Sequence, residues 1–199
     1  MAGLLFLAFA YFAVGQAAAT RNGAQTAADA AALAAAQDAR DQLRDGWLAV
    51  ILHPDQWHDF VEGRRFGTNA ACRRAELFSA KNDARLSGEG CVRLDGMRDG
   101  FRVTVTTVGT VGDSVIPGTG EQHATATATA VIEPLCTFEA PEPTAAPTPT
   151  PPPPPGPTHE PEPNPPILGL SCNEVPWEID PEDPKLPSVA DLFSVRLAD

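Results

Sequence analysis

The sequence predicts an α+β fold in which one long N-terminal helix packs on a small antiparallel sheet and carries a proline-rich extension. Three observations predict it. Residues 1–20 are almost entirely apolar, and residues 21–45 continue them as an alanine-rich helix with only Gly23 as a break. Two later stretches, beginning at Phe101 and His123, alternate side chains with the period of a half-buried strand.

Residues 1–20 (MAGLLFLAFAYFAVGQAAAT) are predicted to be a transmembrane helix. Their only ionisable side chain is Tyr11, and crossing a hydrocarbon core takes about 20 apolar residues. A cleaved signal peptide is the alternative, because three small residues, Ala17–Ala19, could form its exit site. A signal peptide also has a basic start, and no Lys or Arg precedes this apolar run. We therefore expect a retained anchor.

Residues 21–45 are predicted to continue the anchor as an amphipathic helix that ends at Asp45–Gly46. Alanine covers most of this helix, and small side chains allow another backbone to approach closely. The polar residues recur at helical spacing and predict one solvated stripe, formed by Asn22, Gln25, Asp29, Gln37, Arg40, Asp41 and Arg44.

Residues 46–136 are predicted to be an extracytoplasmic α+β domain. Its helix should run from Thr68 to Asn82, with Thr68 as the cap and three residues on one face, Ala71, Ala75 and Phe78. A turn at Gly88–Gly90 should precede a short strand at Cys91–Leu94.

The strand from His123 to Ile132 carries alanine on one face and threonine on the other. An alanine face fills little core volume, so another element must lie close against it. We predict that this element is the alanine face of the first helix.

Residues 137–166 form a proline-rich segment, for which polyproline II is the expected conformation. Residues 167–199 are predicted to fold again as an acidic C-terminal segment that docks through a disulfide and an amphipathic end. This end comprises Val189, Leu192, Phe193, Val195 and Leu197.

The four cysteines follow the apolar segment and are widely spaced, at Cys72, Cys91, Cys136 and Cys172. An even, well-separated set in an exported region predicts two disulfides. Three pairings are possible, and the pairing of sequence neighbours, Cys72–Cys91 with Cys136–Cys172, is the one we favour.

Charge and motifs exclude several classes of function. Residues 137–199 hold eleven acidic and two basic side chains, so they account for −9 of the total net charge of −12. Such a chain lacks the basic surface that nucleic acid requires, and no motif indicates a small-molecule substrate or a cofactor. Two His and two Asp within His53–Asp59 could in principle hold zinc, but Pro54 breaks their helical spacing. We predict no metal site and no catalytic residues.

Residues 25–36 (QTAADAAALAAA), directly after the apolar run and Arg21–Asn22, resemble the TadE/TadG-like family of Flp (Tad) pilus-assembly proteins. The resemblance covers residues 1–45, and the proline tract and acidic tail resemble those of actinobacterial members. It implies a pilin-like architecture and a single-pass protein of the cell membrane with most of its chain outside the cytoplasm. The implied partners are the membrane and other pilin-like or Tad-system proteins.

Two functions of different classes follow. The first is a non-catalytic component of a type IVb-like pilus or related secretion assembly that packs laterally through its helix. The positions expected to make these helix contacts are Gln25, Ala28, Asp29, Ala32 and Leu33. The second is a secreted or anchored module that captures a wall polymer or protein through the proline arm or Trp177. An extracytoplasmic hydrolase is disfavoured, since no nucleophile and base converge.

Overall fold

The structure is a computed structural model that describes residues 2–94, 98–110, 112, 120–140 and 165–198. One helix of 48 residues, α1 (Ala2–Ala49), projects from an α+β domain that is built on its second half. The predicted α+β fold is therefore confirmed. Of the predicted proline-rich segment, residues 137–166, residues 141–164 lie outside the described part of the chain, and Thr137 and Phe138 belong to a strand (Cys136–Phe138).

The helix α1 continues past its predicted end at Asp45–Gly46 and stops at Ala49. Its last turn is held in the core, because Trp47 is buried and meets the Trp57 ring edge-on at a centroid distance of 5.4 Å. Gly46 is needed here for its size, since a Cβ atom at this position would lie 2.2 Å from the ring of Phe60.

Two short helical pieces and a longer helix follow α1. A 3-10 turn (Pro54–Gln56) leads into α2 (His58–Val61), and α3 (Thr68–Lys81) then packs along α1. The N-cap of α3 is Gly67 rather than the predicted Thr68. The side chain of Gln42 on α1 satisfies the amide of this N-cap residue: its Oε1 accepts a hydrogen bond from the Gly67 amide at 2.9 Å.

The buried face of α3 differs in one residue from the predicted face. Ala71, Ala75 and Ser79 are buried at a strict four-residue spacing, whereas Phe78 is only half-buried. Burial of the polar Ser79 side chain is tolerated because its hydroxyl donates a hydrogen bond to the Glu76 carbonyl at 2.9 Å. Phe78 instead lies beneath the cationic side chains of Arg74 and Lys81.

The main sheet is antiparallel and has the strand order β1-β2-β3-β7. Its strands are β1 (Ala84–Arg93), β2 (Asp99–Thr110), β3 (His123–Pro134) and β7 (Phe193–Ala198). The Gly88–Gly90 segment was expected to be a turn, but it lies inside β1. Both glycines have positive φ and the register with β2 shifts between Leu86 and Cys91, so the segment is a bulge.

The second sheet is smaller and has the order β4-β5-β6, with β4 (Cys136–Phe138), β5 (Ile167–Cys172) and β6 (Val175–Ile179). The chain then forms α4 (Val189–Leu192) and adds β7 to the edge of the main sheet. The last six described residues of the C-terminal segment thus form a strand.

Two disulfides pair the four cysteines. Cys72 on α3 is bonded to Cys91 on β1, and Cys136 on β4 is bonded to Cys172 on β5. The bonded residues are the sequence neighbours. The first bond holds α3 against the edge of the main sheet, and the second lies inside the smaller sheet, where Cys136 and Cys172 are paired in register.

Candidate functional site

The first half of α1 exposes its apolar side chains on every side. Eight large side chains are between 57% and 83% exposed: Leu4, Leu5, Phe6, Leu7, Phe9, Tyr11, Phe12 and Val14. The helix is long and apolar enough to cross a membrane, and its most apolar stretch is not buried by the rest of the protein. Burying these side chains in hydrocarbon would release on the order of 10–20 kcal/mol. We call residues 3–20 the exposed half of α1.

The second half of α1 is the centre of the domain core. Burial begins at Ala24 and continues through Leu43 to Trp47, mostly on alanine. The predicted solvated stripe is present, since none of its seven polar residues is buried. The same helix is therefore apolar on all sides in one half and amphipathic in the other, which is the pattern of an anchor with its far end in water.

The alanine face of α1 packs on the alanine face of β3, as the sequence predicts. On β3, Ala128 and Ala130 are buried while Thr125 and Thr127 are exposed on the opposite face. Alanine on both surfaces removes the side-chain layer that usually separates a helix from a sheet, so the two backbones can approach closely.

The five positions expected to make helix contacts do not share one environment. Ala28 and Ala32 are fully buried in the core of their own chain, which assigns them to intramolecular packing. Asp29 and Leu33 are half-buried, and Gln25 is exposed. A neighbouring helix could therefore contact Gln25, Asp29 and Leu33 without unfolding the domain, but it could not reach Ala28 or Ala32.

Gln25 and Asp29 line a groove of about 370 Å³ between α1 and the main sheet. Their side chains are joined, since Gln25 Nε2 donates to Asp29 Oδ1 at 2.8 Å. The sheet side of the groove is formed by β3 and the end of β7, through Thr127, Ala128, Thr129, Leu197 and Ala198. We call this feature the Gln25–Asp29 groove.

The contribution of β7 to this groove was missed by reading the sequence. Phe193, Val195 and Leu197 are spaced by two, which is a strand signal, but the segment was interpreted only as an amphipathic end. No local pattern indicates that the last residues of the chain pair with β3, since more than fifty residues separate the two strands.

One ion pair fastens β7 to β3. Arg196 donates to both carboxylate oxygens of Glu133, with Nε lying 3.1 Å from Oε2. The hydrogen bonds from Arg196 lower the pKa of Glu133 below its ordinary value, more than its partial desolvation raises it. The pKa of Asp191 is lowered as well, because the Ser188 side chain and backbone hydrogen-bond to it in the capping box of α4.

The polar residues that follow His53 form local ion pairs. His58 Nε2 lies 3.3 Å from Glu62 Oε1, and Arg64 pairs with Asp59 at 3.1 Å. The hydrogen bond to Asp59 is the main cause that raises the pKa of Arg64, and the negative charge of Glu62 acts in the same direction. Across the described ranges, no three His, Cys, Asp or Glu side chains cluster closely enough to hold a metal ion.

Trp177, the aromatic residue considered for capture of a wall polymer, is half-buried on β6 and packs against the core cluster. An aromatic platform for a ligand would need an exposed ring face. The packing of Trp177 against the core leaves part of its side chain accessible to a ligand.

Comparison with known proteins gives one match. Residues 1–38 match the model of the family described as putative Flp pilus-assembly TadE/G-like. The matched segment contains the whole exposed half of α1 and its junction with the domain, and the family is one of structural and assembly proteins. No curated protein and no solved structure matches the chain.

Proposed function

We propose that this chain is a non-catalytic, membrane-anchored component of a Flp/Tad-type, type IVb-like pilus or of a related secretion assembly. The single observation that carries the proposal is the division of α1. One half exposes apolar side chains on all sides, and the other half is the core of a folded domain. The TadE/G-like match over residues 1–38 supports the same assignment, because it covers this junction.

In this proposal the sheet domain lies outside the cytoplasm. Two disulfides support this side of the membrane, because disulfides form and persist in oxidising compartments and are rare in the cytosol. They also stabilise a domain of modest size. By restricting the unfolded chain, each bond raises the free energy of unfolding by roughly 3–4 kcal/mol for loops of this length.

Assembly would use the surfaces of α1 that the domain leaves open. Within the membrane these are the side chains of the exposed half, where helices associate by close packing. Just outside it, the Gln25–Asp29 groove presents a hydrogen-bonded polar pair beside the end of β7. A neighbouring helix that continues from the membrane would meet both surfaces in succession.

Site-specific photo-crosslinking in the cells that encode the chain tests this proposal. A photoreactive phenylalanine analogue replaces Phe12 in one variant and Gln25 in another, since both positions are exposed. We expect both to form adducts with small membrane proteins of the pilus or secretion system, identified by mass spectrometry.

Val92 serves as the control position, because it is exposed on β1 near the opposite end of the sheet. Crosslinks from Val92 alone, or adducts of Phe12 and Gln25 with no protein of such a system, would contradict lateral packing through α1.

A further inference from the structure

The end of the main sheet nearest the exposed half of α1 touches the helix at Gln16. Gln16 Oε1 is buried and has no hydrogen-bond partner among the described residues. Gly112, just beyond the end of β2, lies against it, since a Cβ atom on Gly112 would stand 3.7 Å from this oxygen. The domain therefore contacts α1 inside residues 1–20, the segment that the sequence predicts to lie in the membrane.

This contact limits how deeply α1 can enter the bilayer. A membrane boundary at Thr20, the end of the apolar run, would place Gln16 about 6 Å inside the hydrocarbon, at about 1.5 Å per residue. Gly112 and the end of β2 would be there too, although non-helical backbone exposed to lipid does not occur in hydrocarbon. The boundary must therefore lie near Gln16.

A boundary at Gln16 also suits the first charge along α1. Arg21 is exposed and lies about 7.5 Å farther along the helix axis, while each headgroup layer is roughly 5–8 Å thick. The guanidinium would therefore meet lipid phosphates.

The residues at this end of the sheet suit a headgroup layer. Thr110 on β2 is paired with His123 on β3, and Glu121 and Gln122 precede His123 as exposed polar residues. These side chains can hydrogen-bond with water and lipid headgroups, whereas the hydrocarbon offers them no partner. We call Thr110, Gly112 and residues 120–123 the membrane-proximal end.

We infer that the membrane-proximal end lies on the headgroup layer of the bilayer that α1 enters, so that the domain stands on the lipid surface. The inference rests on the proposed function for its membrane anchor. It adds a second contact with the lipid surface and sets the depth of α1 at Gln16 instead of Thr20.

Tryptophan quenching in vesicles of the full chain tests the contact. Gln122→Trp places a probe at the membrane-proximal end, and Val92→Trp places the same probe on an exposed position near the other end of the sheet. Each variant is reconstituted in phosphatidylcholine vesicles, with or without bromine on the upper part of the acyl chains. Wild-type protein gives the background of Trp47, Trp57 and Trp177.

After the wild-type background is subtracted, we expect brominated lipid to quench the fluorescence of the added tryptophan in Gln122→Trp. The added tryptophan in Val92→Trp should fluoresce equally with and without bromine. Flotation of the same vesicles reports the anchor independently. If the variants float and the two probes respond equally to bromine, the headgroup contact is overturned while the anchor stands. If the wild-type chain does not float with the vesicles, the proposed anchor fails and the inference fails with it.

Discussion

At the scale of single residues, alanine determines how closely α1 approaches its partners. Ala28 and Ala32 have no exposed surface, and they pack in one cluster with Ala71 of α3 and Ala130 of β3. Protein interiors are close-packed and have little space for additional methylene groups. Alanine at these positions is therefore required by the domain itself, whichever surface faces a neighbouring chain.

Replacing Ala32 with leucine should overpack this core. We expect Ala32→Leu to lower the free energy of unfolding by about 1–3 kcal/mol, because the larger side chain must displace helix or sheet. Denaturant unfolding of the full chain in detergent measures the loss. Ala30→Leu is the matched control, since Ala30 is only half-buried on the same helix and should cost much less. Equal stability of the two variants would contradict the close packing of Ala32.

At the scale of elements, β7 completes the main sheet from the far end of the chain. Its partner β3 is covered by α1 on one face. Because β7 lies beside β3, its last residues, Leu197 and Ala198, line the Gln25–Asp29 groove. The pair Glu133–Arg196 joins the two strands through two hydrogen bonds to one carboxylate, a geometry stronger than a single ionic contact. Because the pair is solvent-exposed, salt should weaken it.

This pair should make stability depend on pH in the acidic range. The pKa of Glu133 is lowered by folding from its ordinary value of 4.5, so the unfolded chain takes up the proton first. The stabilisation is complete above pH 4.5 and is lost as the pH falls through the folded-state pKa. We expect Glu133→Gln to be less stable than wild type at neutral pH and to lose less stability on acidification.

Unfolding free energies of the full chain measured from neutral to acidic pH check this expectation. The lowered pKa of Asp191 contributes in the same direction and remains in the variant, so Glu133→Gln should retain part of the pH dependence. Identical pH profiles for wild type and variant would show that the ion pair contributes nothing. Repeating the series at high salt should reduce the difference between them.

At the scale of the whole molecule, anchoring and folding are assigned to separate halves of one helix. Among the described residues, the exposed half contributes nothing to the buried core, whereas α1 packs against α3 and all four strands of the main sheet. A substitution in the exposed half before its contact with the sheet at Gln16 should therefore affect membrane partitioning without changing the stability of the domain. The converse should hold for substitutions in the core.

Phe9→Arg tests this separation. A charged side chain within a membrane helix costs about 2.5–3.5 kcal/mol on insertion scales, so a smaller fraction of the variant should remain in carbonate-washed membranes. Phe9 is exposed and lies outside the core, so the midpoint of domain unfolding in detergent should equal that of wild type. Phe9→Leu, which keeps the apolar character, should behave as wild type in both assays. Unchanged partitioning of Phe9→Arg would argue against the anchor.

Several features could be predicted because they depend on residues close together in sequence. The apolar run and the alanine-rich helix follow from composition over a few turns. The alternation of alanine and threonine on β3 identifies both the strand and the face that α1 covers. The solvated stripe on α1 likewise follows from spacing alone. In each case the side-chain period is set by the local backbone geometry.

The tertiary structure decided what those surfaces meet. Gly88–Gly90 resembles a turn in the sequence, and only pairing with β2 makes it a bulge within β1. Ala28 and Ala32 present small side chains suited to any close neighbour, and the fold directs them to the chain's own core. Likewise, no local sequence pattern indicates the pairing of β7 with β3 or the contact of the sheet end with Gln16. Periodicity specifies which face of an element is apolar, whereas the partner of that face depends on contacts between residues far apart in the chain.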